Sequence, residues 1–143
     1  MNWSEFLKLF RDCELVDNKI VIKSRLREVV EYIVQNYSYD ILQEIIGVDV
    51  SNNLTELIYH LYSTRDEENL FISITVGECV ESIVDIFKSA IADENEIYDL
   101  FGVNFIGHEN LKRLYMPEGW LGYPLRKDYV ENDERLRWNH DNT

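Results

Sequence analysis

Over residues 40–76 three apolar-rich runs, near 40–50, 54–63 and 70–76, follow one another with only a few residues between them. That spacing decides the sheet: a parallel crossover needs about a dozen residues or more, whereas an antiparallel return needs very few. The third run sets Leu70, Ile72, Ile74 and Val76 against Phe71, Ser73 and Thr75, the two-residue period of a strand with one face turned to a core. Residues 65–69 are mostly charged and suit the hairpin loop before it. The runs predict a mainly antiparallel sheet.

Helical spacing flanks these strands. Asn2 precedes Trp3, Phe6, Leu7 and Phe10, with Glu5 three residues after Asn2, a capping-box arrangement that predicts a short opening helix. Residues 14–23 read as two short strands around Asp17 and Asn18, a pair that tolerates the left-handed backbone of a tight hairpin. Ser24 is placed to cap a helix whose apolar residues Leu26, Val29, Val30, Ile33, Val34 and Tyr37 recur at i, i+3, i+4, i+7, i+8 and i+11. Val80, Ile83, Val84, Phe87 and Ile91 restore helical spacing and predict a helix, or a pair, running toward Phe101, with Gly102 as its stop. The expected fold is α+β, with helices packed on one face of a mainly antiparallel sheet and a globular domain over residues 1–101.

Beyond that point the character changes. Residues 102–143 hold both prolines, four of the six glycines and two of the three tryptophans, and their apolar positions follow neither period. Phe105, Leu111, Leu114, Tyr115, Trp120, Leu121, Tyr123 and Trp138 make the segment too aromatic for an ordinary disordered tail. It reads as an extended, irregular C-terminal arm laid on another protein.

Charge and cysteine usage narrow the function. The net charge is −13, of which residues 1–101 carry −12, from 8 Lys/Arg against 20 Asp/Glu. A field of that sign repels phosphate backbones and anionic lipid and favours basic protein surfaces, so neither nucleic acid nor direct membrane insertion is expected. Cys13 and Cys79 are too few to hold an iron–sulfur cluster and form no CxxC motif; they read as free thiols, with a disulfide as the alternative. No basic leader with an apolar run opens the chain, and no apolar run approaches the ~18 residues of a membrane span. The expectation is a soluble, cytoplasmic protein.

Three constellations bear on a site. Glu94, Glu96 and Asp99 surround Tyr98; on a helix Glu96 and Asp99 share a face that can pair with a partner's cations or bind a metal, or form a solvated acidic face. Gly107 and His108 make a turn that can present an imidazole as base or ligand, but His60 and His140 lack ligand-like spacing to it. Residues 119–129, Gly-Trp-Leu-Gly-Tyr-Pro-Leu-Arg-Lys-Asp-Tyr, are the most specific. Gly122 permits close backbone approach, Pro124 fixes φ, and Arg126 offers planar recognition of a carboxylate. There is no phosphate-cradling glycine loop, and no nucleophile triad has motif support.

Taken together, residues 94–129 resemble the thirty-kilodalton, C-type subunit family of NADH-quinone oxidoreductase, respiratory complex I, which is shared with membrane-bound energy-converting [NiFe] hydrogenases. Glu94, Glu96, Tyr98, Asp99, Phe101 and Gly102 match the first block of the family pattern, although Asn95 stands where an arginine is usual. Gly107, His108, Leu111, Lys112, Arg113 and Leu114 match the second, with Glu109 and Asn110 in place of Pro-Asp. Gly122, Pro124, Leu125, Arg126, Lys127, Asp128 and Tyr129 match the third.

The resemblance implies a non-catalytic peripheral-arm subunit without a cofactor. It would dock on a large catalytic subunit, quinone-site or NiFe-binding, beside a cluster-bearing small subunit, on the cytoplasmic face of the membrane. The residues it implies for partner binding are Glu94, Glu96, Tyr98, Asp99, Phe101, Gly107, His108, Arg113, Trp120, Gly122, Pro124, Leu125, Arg126, Lys127, Asp128 and Tyr129. The short chain tilts the choice of complex toward the hydrogenase type. Two alternatives stand beside it: a metal-dependent enzyme built on Glu94, Glu96, Asp99 and His108, and a free-standing acidic binding module.

Overall fold

A computed structural model describes residues 3–113, 116 and 122–126. In chain order the elements are α1 (Ser4–Leu9), β1 (Glu14–Val16), β2 (Lys19–Ile22), α2 (Leu26–Tyr37), β3 (Ile41–Ser51), β4 (Leu54–Ser63), β5 (Glu68–Val76), β6 (Cys79–Glu81), α3 (Ala90–Phe101) and β7 (Asn104–Ile106). Five strands form one sheet in the order β1-β2-β5-β4-β3, and β6 pairs with β7 in a second, small sheet. The fold is the expected α+β arrangement.

The three central runs pair as their spacing requires. β3 with β4 and β4 with β5 are antiparallel, and in β4 Thr55, Leu57, Tyr59, Leu61 and Ser63 are buried while the residues between them are not. The hairpin at Asp17 and Asn18 also forms, with Asp17 at φ 55. The sheet is nonetheless mixed, because β2 runs parallel to β5, Ile20 opposite Ile72 and Ile22 opposite Ile74. The passage through α2, β3 and β4 between them supplies the long connection that parallel pairing needs.

The helices show where local pattern misleads. α2 buries Leu26, Val29, Val30 and Ile33, as its period predicts, but Ser24 is not its cap. Arg25, in the left-handed conformation at φ 57, holds that position, and the Ser24 hydroxyl lies 3.5 Å from Asp12. α1 begins after Trp3, and Asn2 lies outside the described residues.

The helix expected from Val80 onward is absent. Residues 79–81 are strand β6, residues 83–87 make a single turn closed by Phe87 N–H to Ile83 O, and α3 starts only at Ala90. Val80, Ile83 and Phe87 are still buried, so their helical spacing reflects one-sided burial of a strand and a turn. Gly102 does end α3, at φ 78, with its N–H bonded to Tyr98 O.

One core joins the inner sheet face to the helices, from Phe6 and Phe10 of the N-terminal segment through α2 to Ile97 and Phe101 of α3. α3 also covers part of the exposed edge of β3. Ser89 Oγ donates to Leu42 O at 3.3 Å, and the Asp93 carboxylate lies near the Ile45 N–H. Gly47 makes this approach possible, since a Cβ there would stand 2.7 Å from the Phe101 ring and 2.9 Å from Ile97.

The segment after Gly102 does not leave the domain at once. Val103 and Phe105 are 0% and 2% exposed, and β7 pairs with β6, Phe105 opposite Val80. The folded body therefore extends past residue 101.

Candidate functional site

α3 presents a row of inward polar side chains, and each holds a different piece of irregular chain. Glu94, Asn95 and Asp99 are 0%, 3% and 0% exposed. The Glu94 carboxylate accepts from Ser82 Oγ at 2.6 Å and from the Ile83 N–H at 2.9 Å, fastening the exit of β6. Asn95 Oδ1 accepts the Lys112 N–H at 3.0 Å. Asp99 accepts from Arg113 Nε at 2.6 Å with one oxygen and from the Met116 N–H at 3.1 Å with the other.

A solvated acidic face is thus not what residues 94–99 form. Glu96 is exposed and Asp99 buried, so the two do not share a face open to a partner's cation. Burial pushes the Glu94 carboxyl above its usual range, and the bonds from Ser82 and Ile83 offset part of that rise.

Arg113 is the centre of the arrangement. Its guanidinium spans Asp99 Oδ1, the Asp99 carbonyl at 2.8 Å and the Gly122 carbonyl at 2.8 Å, and its carbon lies 5.0 Å from the centre of the Tyr123 ring. A rigid planar fork with several donors suits this three-way task, which an ammonium could not perform with the same geometry. The ring of Tyr123 in turn lies over Gly102, where an added Cβ would meet it at 2.6 Å. The Leu125 N–H bonds Leu100 O at 2.9 Å, and Arg126 Nη2 donates to Asn53 Oδ1 at 2.7 Å.

His108 is also engaged. Its Nδ1 accepts the Asn110 N–H at 3.1 Å, which leaves Nε2 as the protonated nitrogen facing Ile91 O at 3.2 Å. Nδ1 thus serves the turn, and Nε2 ties it to α3. Among the described residues no group of three or more His, Cys, Asp or Glu is placed to hold a metal ion. Cys13 is buried, with its thiol pushed up to about 11 by burial and then by Asp12, and Cys79 is exposed; both are free thiols.

Of the expected site residues, Asp99, Arg113 and Gly122 come together in one node at the end of α3, beside Phe101, while Glu94, earlier on the same helix, holds Ser82 and Ile83 instead. Tyr98 joins it through Tyr123, ring centres 6.4 Å apart. Pro124, Leu125 and Arg126 follow on the surface, Leu125 being 52% exposed, while Glu96, Gly107 and His108 lie outside the node. Trp120, Lys127, Asp128 and Tyr129 lie outside the described residues.

Sequence reading missed Ser82, Asn95 and Gly47. Ser82 and Asn95 carry no local signal, since their partners are 12 and 17 residues away. Gly47 offered one, a glycine inside a strand pattern, which marks a close approach. Chemically the node orders chain: it consumes its ionisable groups in internal bonds and sets residues 122–126 against the end of α3.

The family model for the respiratory-chain NADH dehydrogenase 30 Kd subunit matches residues 20–135, most of the chain. The C/D subunit of NADH-quinone oxidoreductase from Phocaeicola vulgatus is 38% identical over 117 residues, covering 79% of this chain and 22% of that protein. The J subunit of NAD(P)H-quinone oxidoreductase from Prochlorococcus marinus strain AS9601 is 35% identical over 130 residues, 82% of this chain and 73% of that one. The chloroplastic J subunit of Ceratophyllum demersum is 36% identical over 113 residues, with 73% and 70% covered. The chain therefore spans about a fifth of the C/D relative and about seven tenths of the J relatives. In fold it is similar to a chain of the membrane-bound sulfane sulfur reductase, an archaeal respiratory membrane complex, with a TM-score of 0.72 at 20% identity over 96% of this chain and 87% of that one.

Proposed function

The chain belongs to the family of the 30 Kd subunit of respiratory-chain NADH dehydrogenase, and from that membership we propose that it is a non-catalytic subunit of a quinone-reducing respiratory complex. Its work is to dock on the large catalytic subunit and hold it in register. The observation that carries this reading is the use made of its ionisable groups. Glu94, Asp99, Arg113 and His108 all spend their polar atoms on the chain's own backbone and side chains, an arrangement that positions a surface and leaves the chemistry to neighbours.

The choice of quinone follows the names of the relatives at 35–38% identity, the C/D and J subunits of quinone oxidoreductases. It replaces the hydrogenase type favoured by chain length. No helix among the described residues is long and apolar enough to cross a membrane. The place proposed for the chain is peripheral, on the cytoplasmic face, beside a cluster-bearing small subunit.

A tagged pull-down from solubilised membranes of the native host, with mass spectrometry of what co-purifies, tests the proposal. A large subunit without hydrogenase-type cysteine pairs, together with NADH- or ferredoxin-oxidising partners, is the expected result. Recovery of those cysteine pairs would move the assignment to a hydrogenase, and recovery of the chain alone would leave a free-standing module.

A further inference from the structure

A cleft of about 430 Å³ opens at one end of the sheet, far in sequence from the α3 node, between Trp3, the turn residues Asp17 and Asn18, Tyr39, and Glu68, Asn69 and Leu70 of β5. Its walls are held by backbone pairing. Phe71 N–H bonds Asn18 O at 2.9 Å, and Asn18 Nδ2 donates to Asn69 O at 3.3 Å, so the β1–β2 turn is tied to the start of β5. Trp3 is fixed by stacking on Tyr37, ring centres 4.3 Å apart, and Tyr39 is 2% exposed.

Two exposed carboxylate side chains, with Trp3 and the buried Tyr39 beside them, thus line one hollow, and the carboxylates come from elements well separated in the chain. Neither Asp17 nor Glu68 has an ion-pair partner among the described residues, and the cation nearest in sequence to Asp17, Lys19 of β2, lies 3.6 Å from Glu56. The Tyr39 hydroxyl is pushed up to about 12 by burial and then by Glu68 and Asp66, so it stays a neutral hydrogen-bonding group. The surrounding chain is strongly acidic.

We propose that this cleft receives a guanidinium group, supplied in the assembled protein by an arginine side chain of a neighbouring subunit. Two carboxylates set the charge, and the half-buried indole of Trp3 attracts a cation through its quadrupole, whereas Tyr39, 2% exposed, offers no open face. Arginine fits better than lysine, because its planar, weakly hydrated fork can stack and still reach several acceptors. The volume lies near the small end of the roughly 300–1,000 Å³ typical of ligand sites, enough for one side chain and too small for a dinucleotide. The donor being a neighbouring subunit rests on the proposed function; the chemistry of the cleft does not.

The test is a titration of the full chain with N-acetyl-arginine amide, followed through the Trp3 indole N–H and the Asn18 and Asn69 side-chain amides by two-dimensional NMR. A saturable shift is expected, at least tenfold weaker with the isosteric, uncharged N-acetyl-citrulline amide and abolished in Asp17→Asn/Glu68→Gln. Absence of a saturable shift, or an equal response to the citrulline compound, overturns the proposal whether or not the double variant folds. The pull-down reads assembly and the titration reads the cleft alone, so failure of one is distinguishable from failure of the other.

Discussion

Arg113 Nε stands 2.6 Å from Asp99 Oδ1, with the Asp99 side chain 0% and the Arg113 side chain 15% exposed. An ion pair this buried costs desolvation on both sides, and it persists because both groups also find backbone partners: the Met116 N–H for Asp99, and the carbonyls of Asp99 and Gly122 for Arg113. Its energetic sense is therefore asymmetric. Removing both groups together can be nearly neutral, whereas removing one strands the other.

Arg113→Ala is accordingly expected to destabilise the chain by about 3–5 kcal/mol, the usual cost of an orphaned buried charge. Arg113→Lys should recover only part, since the fork that reaches Gly122 is lost. Urea unfolding measures both, and an unchanged midpoint in Arg113→Ala would remove this pair from any account of how the segment is held.

Truncation after Gly102 is expected to unfold or loosen the domain rather than leave it intact. The cut removes Val103 and Phe105 from the core, the β7 partner of β6, and Arg113 from Asp99. Loss of a buried aromatic alone costs about 3–5 kcal/mol, a large share of the ~5–15 kcal/mol by which domains are stable. Near-ultraviolet circular dichroism of residues 1–102 should show weakened or absent tertiary signal; a native-like spectrum would restore a domain boundary at residue 101.

Gly47→Ala places a methyl 2.7 Å from the Phe101 ring, in rigid surroundings between sheet and helix. Overpacking of this kind costs about 1–3 kcal/mol. Because Phe101 adjoins Gly102, whose surface Tyr123 covers, the strain should also speed hydrogen exchange at the Leu125 amide, which bonds Leu100 O. Exchange unchanged there would separate the sheet contact from the surface segment.

Glu94 gives a pH dependence of defined sign. Its folded value lies above the ordinary 4.5, chiefly through burial, so its stabilising contribution is complete below that value and is lost as pH rises through the folded one. Asp40, held low by Thr64, and Asp85, held low by Arg27, act in the opposite sense, losing their contributions as pH falls through their folded values. Glu94→Gln keeps the shape, can still accept the Ile83 N–H and cannot ionise. Unfolding measured at several pH values should show the variant gaining on the wild type as pH rises, with the contributions of Asp40 and Asp85 cancelling in the difference; parallel curves would refute the assignment.

Those same residues mark where sequence is readable. α2 and β5 declare themselves because each buries one face of a regular element, and Leu26, Val29, Val30 and Ile33 or Leu70, Ile72 and Ile74 repeat with that element's period. Gly102 is legible because an αL stop favours glycine. The parallel contact of Ile20 with Ile72 has no such mark, being set by partners far apart in the chain. Nor does the burial of Glu94 and Asp99: carboxylates read as solvent-facing until Ser82, Ile83 and Arg113 are brought to them by the fold. The family pattern picks out these carboxylates but carries no sign of their inward direction.

Arg126 separates folding from assembly. Its guanidinium reaches Asn53, in the turn between β3 and β4, through an exposed hydrogen bond of 2.7 Å, and surface substitutions of this kind usually move stability by only about 0.5 kcal/mol. Docking is another matter: if a partner buries this group against a carboxylate, Arg126→Ala should weaken binding by roughly 2–5 kcal/mol. The expected pattern is a near-normal unfolding midpoint with loss of the large subunit from pull-downs, partial recovery in Arg126→Lys, and a smaller defect in Asn53→Gly, which removes the supporting side chain while tolerating the left-handed backbone at φ 63. Full recovery of the complex with Arg126→Ala would exclude Arg126 from the docking surface, and an equal defect in Asn53→Gly would make its role the placement of the 122–126 turn rather than contact with the partner.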